Sequence, residues 1–338
     1  MKQLNEPALA ILTEYYYPRA SWLQTNCNWG ELSYTGPEAN LHVNDELMQQ
    51  IEIYDCYERQ AAGFSNVLQD LHYGTNTPKW HHQSEERHGI IDQYETKNWS
   101  IKTWFFVYLA HRITGSGASF VEDHGYRNNA VQHFGAMRDI ADMKEFMIEI
   151  KASGRPLFTS IGNQPPSPRR GVTCLDFIVN ELEPLIDGLL DVLFVSTRPR
   201  GHKEVVDFLN EYNLLRGHKR FNFAYAAFAM DVSDYYPELV DPDSHTYLGN
   251  NAIRCMKSLS TAYKSDDFMD ILVERTGGKP KDLEDVMCDF IRFGQNYVPR
   301  SGVTFDHIPS TIHNNSGWES GFEQRQGEQP LLNTLQLI

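Results

Sequence analysis

The sequence predicts a mainly α fold with few short strands. Two observations favour this class. Apolar residues recur with the helical period wherever they are periodic, and no alternation of strands with helices runs through the chain as a parallel α/β sheet requires. The chain has 338 residues, of which 41% are hydrophobic, so it is large enough to bury a substantial core.

Each helix follows from apolar spacing, and Pro184 is expected to divide the clearest amphipathic stretch into two pieces. A short extended piece is predicted at 156–161. In chain order the helices are expected around 47–54 and 64–71, then at 99–113, 129–151, 175–194, 203–215, 219–236, 249–260, 266–275 and 281–296.

The domain organisation is predicted as one helical domain over 1–308, followed by a polar, aperiodic and extended tail over 309–338. The proline-rich stretch 164–171 is either a boundary within that domain or a surface loop. No apolar run approaches the roughly 20 residues that span a bilayer, and the first residues do not resemble a signal peptide. A cytoplasmic protein without a membrane partner is expected. Five scattered cysteines predict thiols rather than a disulfide framework or a cysteine-based zinc site.

The net charge of −15 counts against a polyanionic partner. The charge is unevenly distributed, however, because residues 1–110 are strongly acidic while two later clusters contain only cations. A groove between these clusters could still be positive. The cations are Arg198, Arg200 and Lys203 in the first cluster, and Arg216, Lys219 and Arg220 in the second.

The densest polar segment follows helix 99–113 and contains a glycine-serine turn between two arginines. Successive backbone N–H groups in such a turn form an anion site, Ser116 and Ser119 add hydroxyl donors beside Gly117, and Arg112 and Arg127 suit bidentate contacts to phosphate. The spacing fits neither a P-loop nor a dinucleotide fingerprint. The segment therefore predicts a phosphate or pyrophosphate site, and an ordinary helix–helix turn is the alternative.

Further polar groups surround this candidate site in the sequence. Asp123 and His124 are candidates for a general base. Asn163 and Gln164 carry amides that could read a base edge, although polar turns have the same composition. The stretch 216–223 puts cations beside aromatic rings, as a strand held by charge and stacking requires, and a solvated helix start is the alternative.

The sequence does not predict a metal site. His81, His82 and Glu86 are possible ligands by residue type. Only His82 and Glu86 would share a helical face, and no third ligand follows at a diagnostic spacing. Asp231 and Asp234 are separated by prolines from Asp241 and Asp243, and caps and turns account for most such aspartates. No cofactor is assigned, and the sequence leaves open whether Mg²⁺ assists.

Several ordered runs resemble the amino acid:DNA transferases of bacteriophages, a family linked to the α-glutamyl- and α-putrescinyl-thymine pathways. The resemblance covers about residues 95–300. The runs are RITGSGASF (112–120), DHGYRN (123–128), FTSIGNQ (158–164), KRFNF (219–223), MD (230–231), YPELVDP (236–242) and YLGNNA (247–252).

The resemblance implies a helical globular enzyme in the cytoplasm of an infected bacterial host. It would act on DNA that contains pyrophosphorylated 5-hydroxymethyluracil, with a free amino acid whose nitrogen displaces pyrophosphate. The implied catalytic residues are Asp123, His124, Arg112 and Arg127. Substrate contacts would come from Ser116, Gly117, Ser119, Tyr126, Asn128, Phe158, Asn163, Gln164 and Asp231, after the base is flipped from the helix. DNA phosphates would meet Arg198, Arg200, Lys203, Lys219 and Arg220.

Two other functions stay open. A glycosylase-like enzyme would use the same flipped-base pocket but release free base. A non-catalytic helical DNA-binding protein would bind in a salt-sensitive manner without needing Arg112, Asp123 or Arg127.

Overall fold

The computed structural model describes residues 2–13, 16, 72, 97–113, 137–153 and 168–297. This part of the chain is mostly helical and contains a single two-stranded sheet, which confirms the predicted mainly α class. The expectations at 47–71, at 156–161 and for the tail at 309–338 lie outside the described residues.

The elements in chain order are β1 (Gln3–Leu4), α1 (residues 6–13), α2 (Ile101–Ile113), α3 (Ile140–Ala152), α4 (Cys174–Asn180), α5 (Leu182–Phe194), α6 (His202–Leu215), α7 (Asn222–Tyr235), α8 (Asn250–Leu259), β2 (Ser260–Thr261), α9 (Ser265–Thr276) and α10 (Pro280–Tyr297).

The helix boundaries follow local capping chemistry. The stretch 175–194 forms two helices as expected, because the chain breaks at Glu181 and Pro184 lies in the first turn of α5, where its missing N–H is tolerated. Helix α3 begins at Ile140, within the predicted stretch 129–151, since Asp139 caps it by accepting the N–H of Asp142. Helix α9 ends at Gly277, whose φ of 71° suits glycine.

Helices α2 and α7 form the centre of the core. Residues 103–113 of α2 and 224–233 of α7 are all buried, so neither helix keeps a solvent-facing stripe. The two helices run antiparallel, with Tyr108 beside Tyr235 and, one turn further, Arg112 beside Asp231. Any polar side chain on these helices therefore needs a partner inside the protein.

The remaining helices pack around this pair. Helix α5 contacts α2 with its apolar face and also packs against α4 and α6, and α6 packs along α7. Helices α8, α9 and α10 pack together. A backbone bridge joins two loops of the first group, because the Arg200 N–H donates to Leu239 O and the Asp241 N–H donates to Arg200 O.

The N-terminus docks on the α8–α9 region. Strand β1 pairs antiparallel with β2, placing Gln3 opposite Thr261 and Leu4 opposite Ser260. Beyond the sheet, Lys2 pairs with Asp267. Within the described part of the chain, no helix combines the length and apolarity needed to cross a membrane.

The burial of α5 predicts a large difference between two chemically identical substitutions. Leu185 is fully buried, whereas Leu215 at the end of α6 is 79% exposed. We expect Leu185→Ala to lower the free energy of unfolding by about 2–5 kcal/mol, because it removes apolar contact and leaves a cavity. Leu215→Ala should change it by less than about 0.5 kcal/mol. Urea denaturation measures both values, and equal effects would contradict this packing.

Candidate functional site

The last turn of α2 delivers a buried arginine to the middle of α7. Arg112 donates from Nε to Asp231 Oδ2 at 2.6 Å and from Nη2 to Asp231 Oδ1 at 2.7 Å. Both side chains are about 5% exposed or less. This bidentate geometry fixes the plane of the guanidinium, and burial leaves its charge poorly screened by water.

A second buried ion pair lies one helical turn away on α7. Asp234 follows Asp231 by three residues, and its carboxylate pairs with Lys281 in the first turn of α10. The side chains of Lys281 and Asp234 are only 6% and 5% exposed. We call Arg112, Asp231, Asp234 and Lys281 the charged cluster. Its two ion pairs link α2 to α7 and α7 to α10.

Hydrogen bonds from His202 hold α7 beside this cluster. The ring of His202 lies between Ser233 Oγ, 2.9 Å from Nε2, and the backbone oxygen of Ser244, 3.0 Å from Nδ1. Ser233 in turn donates to Met230 O at 2.7 Å. Ser233 lies between Asp231 and Asp234 in the chain, so α7 is tied to α6 and to the loop after α7 at the turn that carries both carboxylates.

An aromatic wall continues from the charged cluster along α2 and α7. The ring of His72 stacks between Trp104 and Tyr235, at centroid distances of 3.6 and 4.1 Å, and its Nε2 hydrogen-bonds the hydroxyl of Tyr108. Burial lowers the pKa of His72 to about 3, so this ring is neutral at physiological pH. The wall is therefore apolar in character, with one neutral imidazole in it.

The arrangement places a paired guanidinium beside a neutral imidazole. A guanidinium has five N–H donors, and the pair with Asp231 uses only those of Nε and one of Nη2. Neighbouring His111 is buried, and burial together with the charge of Arg112 holds its pKa well below the usual range. Arg112 is thus a fixed cation next to a neutral imidazole.

The structure brings together two of the side chains that the sequence assigned to the site, Arg112 and Asp231, which lie 119 positions apart in the chain. The others assigned to catalysis or substrate lie outside the described residues. They are Ser116, Gly117, Ser119, Asp123, His124, Tyr126, Arg127, Asn128, Phe158, Asn163 and Gln164.

Three of the five cations expected at DNA phosphates are engaged by carboxylates. Arg198 makes two 2.9 Å hydrogen bonds to Glu204, and Arg200 adds one at 3.2 Å. These arginines, led by Arg198, and the Gly201 N–H lower the pKa of Glu204 to about 2. Lys203 pairs with Asp266. No acidic residue lies between Arg198 and Lys203 in the sequence. In the structure, however, Glu204 in the first turn of α6 contacts Arg198, Arg200 and the Gly201 N–H.

Lys219 and Arg220 differ from the other three cations. Both side chains are exposed in the loop between α6 and α7, and neither forms an ion pair with a residue that the structure describes. Of the five positions, these two keep the charge most accessible to a phosphate.

The aspartates considered for metal binding serve other purposes. Asp241 accepts the N–H of Asp243 at 2.9 Å within a turn, and Asp243 pairs with Lys279. Asp231 and Asp234 face cations. No group of three or more potential metal ligands occurs in the described segments.

Sequence reasoning did not single out Lys281, Glu284 or Asp234 as site residues. Glu284 is buried and accepts the Gly249 N–H at 2.9 Å. A signal was present, because Asp231 and Asp234 are acidic positions on a helix that is otherwise mostly apolar, and Lys281 and Glu284 share a face of α10. A carboxylate on such a helix indicates a buried ion pair, but spacing alone does not name its partner.

The buried pair predicts a non-additive mutational response. Asp231→Leu or Arg112→Leu alone leaves one buried charge without its partner and should lower the free energy of unfolding by about 3–5 kcal/mol. The double Leu variant should lose clearly less than the sum of the two single effects, because no charge remains uncompensated. Arg138→Leu with Asp142→Leu, an exposed pair with the same bidentate geometry, is the matched control and should be nearly additive. Additivity at Arg112–Asp231 would contradict a coupled pair.

The neutral buried histidines predict loss of stability in acid. His111 and His72 have lowered pKa values in the folded protein, whereas an unfolded histidine titrates near about 6.5. The unfolded state therefore binds more protons than the folded state below about pH 6.5. As the pH falls below that value, the free energy of unfolding should decrease by up to about 1.4 kcal/mol per pH unit for each histidine. In urea titrations between pH 7.5 and 4.5, His111→Gln should show a shallower decline than the unmodified chain, and an identical slope would count against a neutral His111.

The chain matches no protein-family model, no curated protein and no solved structure. A role for the charged cluster therefore depends on the contacts described above and on the motif resemblance in the sequence.

Proposed function

We propose that this chain is an amino acid:DNA transferase that modifies a pyrimidine in DNA. The amine of a free amino acid attacks the 5-methylene of pyrophosphorylated 5-hydroxymethyluracil. A C–N bond forms, the C–O bond to the pyrophosphate breaks, and pyrophosphate leaves with the bonding electron pair. The ammonium form of the amino acid must lose a proton to a base before it can attack.

The contact between Arg112 and Asp231 carries this proposal. Arg112 opens the run RITGSGASF, and Asp231 closes the short run MD, so two separate segments of the resemblance meet through a buried bidentate ion pair. Four residues after Arg112 in the chain comes Ser116, the first hydroxyl of the glycine-serine turn.

Other runs of the resemblance also meet around α7. Tyr236 packs edge-on against Phe105 of α2, with 5.7 Å between ring centroids. Leu239 hydrogen-bonds Arg200. Gly249 lies against the ring of Phe223, where a Cβ would come within 3.3 Å of that ring, and its N–H binds Glu284. Of these contacts, the one between Gly249 and Phe223 joins two of the similar runs.

The chemistry assigns complementary roles to these groups. Arg112, fixed by Asp231, and Arg127 stabilise the charge that develops on the departing pyrophosphate, together with the turn containing Ser116, Gly117 and Ser119. Asp123 or His124 accepts the proton of the amine.

The target base needs its own contacts outside the duplex. Tyr126 or Phe158 stacks on the flipped base, and the amides of Asn163 or Gln164 read its edge. The reaction depends on correct positioning of the reacting groups and on stabilisation of charge. A guanidinium in a fixed position stabilises the leaving group better than a mobile one.

The direct test is to incubate the protein with DNA that contains pyrophosphorylated 5-hydroxymethyluracil and with each amino acid in turn. Digestion to nucleosides and mass analysis should show a nucleoside that is heavier than 5-hydroxymethyldeoxyuridine by one amino acid residue. Pyrophosphate should be released in the same reaction. Free base in place of a heavier nucleoside would identify a glycosylase instead. DNA binding with neither product for any donor would identify a non-catalytic binding protein.

Arg127 offers a specific test of leaving-group stabilisation. We expect Arg127→Gln to lower the rate of product formation by about 100-fold or more, because a charged donor to the leaving group is lost. Arg170→Gln removes an exposed arginine and is the matched control, with a rate expected within about two-fold of the unmodified chain. Circular dichroism and DNA affinity verify that both variants fold and bind. Equal rates for the two variants would remove Arg127 from the mechanism.

A further inference from the structure

An exposed surface on the α6 side of the molecule combines two aromatic rings with three cations. Tyr247 is 38% exposed and Phe223 is 45% exposed, and Gly249, two residues after Tyr247, lies directly against the Phe223 ring. The ammonium group of Lys203 lies 5.3 Å from the centre of the Tyr247 ring. Lys219 and Arg220 precede Phe223 in the chain. We call these five side chains the aromatic–basic face.

The hydroxyl of Tyr247 sets the orientation of its ring. It donates to Asp207 Oδ1 at 2.8 Å, which holds the tyrosine along α6 between Lys203 and the loop that carries Arg220. Arg220 is close enough to act electrostatically on that hydroxyl, opposing the effects of burial and of Asp207, which raise the pKa of Tyr247. A ring fixed in this way loses little side-chain freedom when another flat group stacks on it.

The charge of the face is positive but modest. Lys203 is already paired with Asp266, and Asp207 is occupied by the tyrosine hydroxyl, whereas Lys219 and Arg220 form no ion pair with any described residue. Two accessible cations are complementary to a ligand that carries a few negative charges. They are too few to hold a duplex by its phosphates alone, above all on a chain whose net charge is −15.

We propose that the aromatic–basic face binds unpaired DNA, with bases stacked on Tyr247 and Phe223 and phosphates beside Lys219 and Arg220. Exposed rings next to cations are the combination that holds single strands, because every base has a face that stacks on an aromatic ring. The inference rests on the proposed function, in which the target base has to leave the helix. The face would hold the strand next to the flipped base, and stacking contributes more to binding than charge does.

Fluorescence anisotropy with a labelled single-stranded oligothymidine and with a duplex of equal length tests this directly. The single strand should bind more tightly. Tyr247→Ala should weaken its binding about ten-fold or more, as should Phe223→Ala. Tyr247→Phe keeps the ring while losing the bond to Asp207, so it should retain affinity within about three-fold. Phe194→Ala removes an exposed aromatic side chain outside this face and should leave the affinity unchanged.

The salt dependence provides an independent measurement. With two phosphate contacts, the logarithm of the association constant for the single strand should fall with the logarithm of salt concentration with a slope of about −1.4. Tighter binding of duplex, a steep slope of about −5 or beyond, or equal loss in Phe194→Ala and Tyr247→Ala would overturn the proposal. A change of oligomeric state in Tyr247→Ala at unchanged DNA affinity would also overturn it, since the face would then join two copies of the chain.

The nucleoside assay separates this inference from the proposed function. If no modified nucleoside forms but single-strand binding still depends on Tyr247, the transferase assignment is wrong and the assignment of the aromatic–basic face to unpaired DNA is upheld. If the modified nucleoside forms, and at DNA concentrations below saturation the Tyr247→Ala rate equals that of the unmodified chain, the face fails and the transferase assignment stands.

Discussion

A charge buried in the centre of a helical core has to be neutralised where it lies, and here this requirement couples Arg112 to Asp231. Because both hydrogen bonds of the pair need one orientation of the guanidinium and one of the carboxylate, they fix the rotation and the register of α2 against α7. The stacking of Tyr108 on Tyr235 one turn away follows from the same register. The position of the site and the packing of the core are therefore one arrangement.

The helical class and most helix boundaries could be predicted because they depend on local chemistry. The break in 175–194 was visible from Pro184. Helix α3 begins inside the predicted stretch 129–151, since apolar spacing continues before Ile140 while the capping by Asp139 decides where this helix begins. That competition between a periodic pattern and a cap is not resolved by periodicity alone.

The candidate site was predictable only in part, because its ion pairs connect distant positions in the chain. Arg112 and Asp231 were both recognised from motifs, but nothing in their spacing indicates that they touch. Asp234 and Lys281 were missed as a pair for the same reason. Arg198 and Arg200 look available in sequence, yet one turn of helix returns Glu204 to both. Availability of a cation depends on three-dimensional neighbours, which composition does not encode.

The docking of β1 on β2 has a consequence for biosynthesis. The bond from Lys2 to Asp267 spans 265 positions, so Lys2 meets its partner only when α9 has been made. At about 5–20 residues per second, the amino-terminal segment waits on the order of 13–50 s for its partner strand. During translation the edge of β1 therefore stays unpaired until β2 has been made.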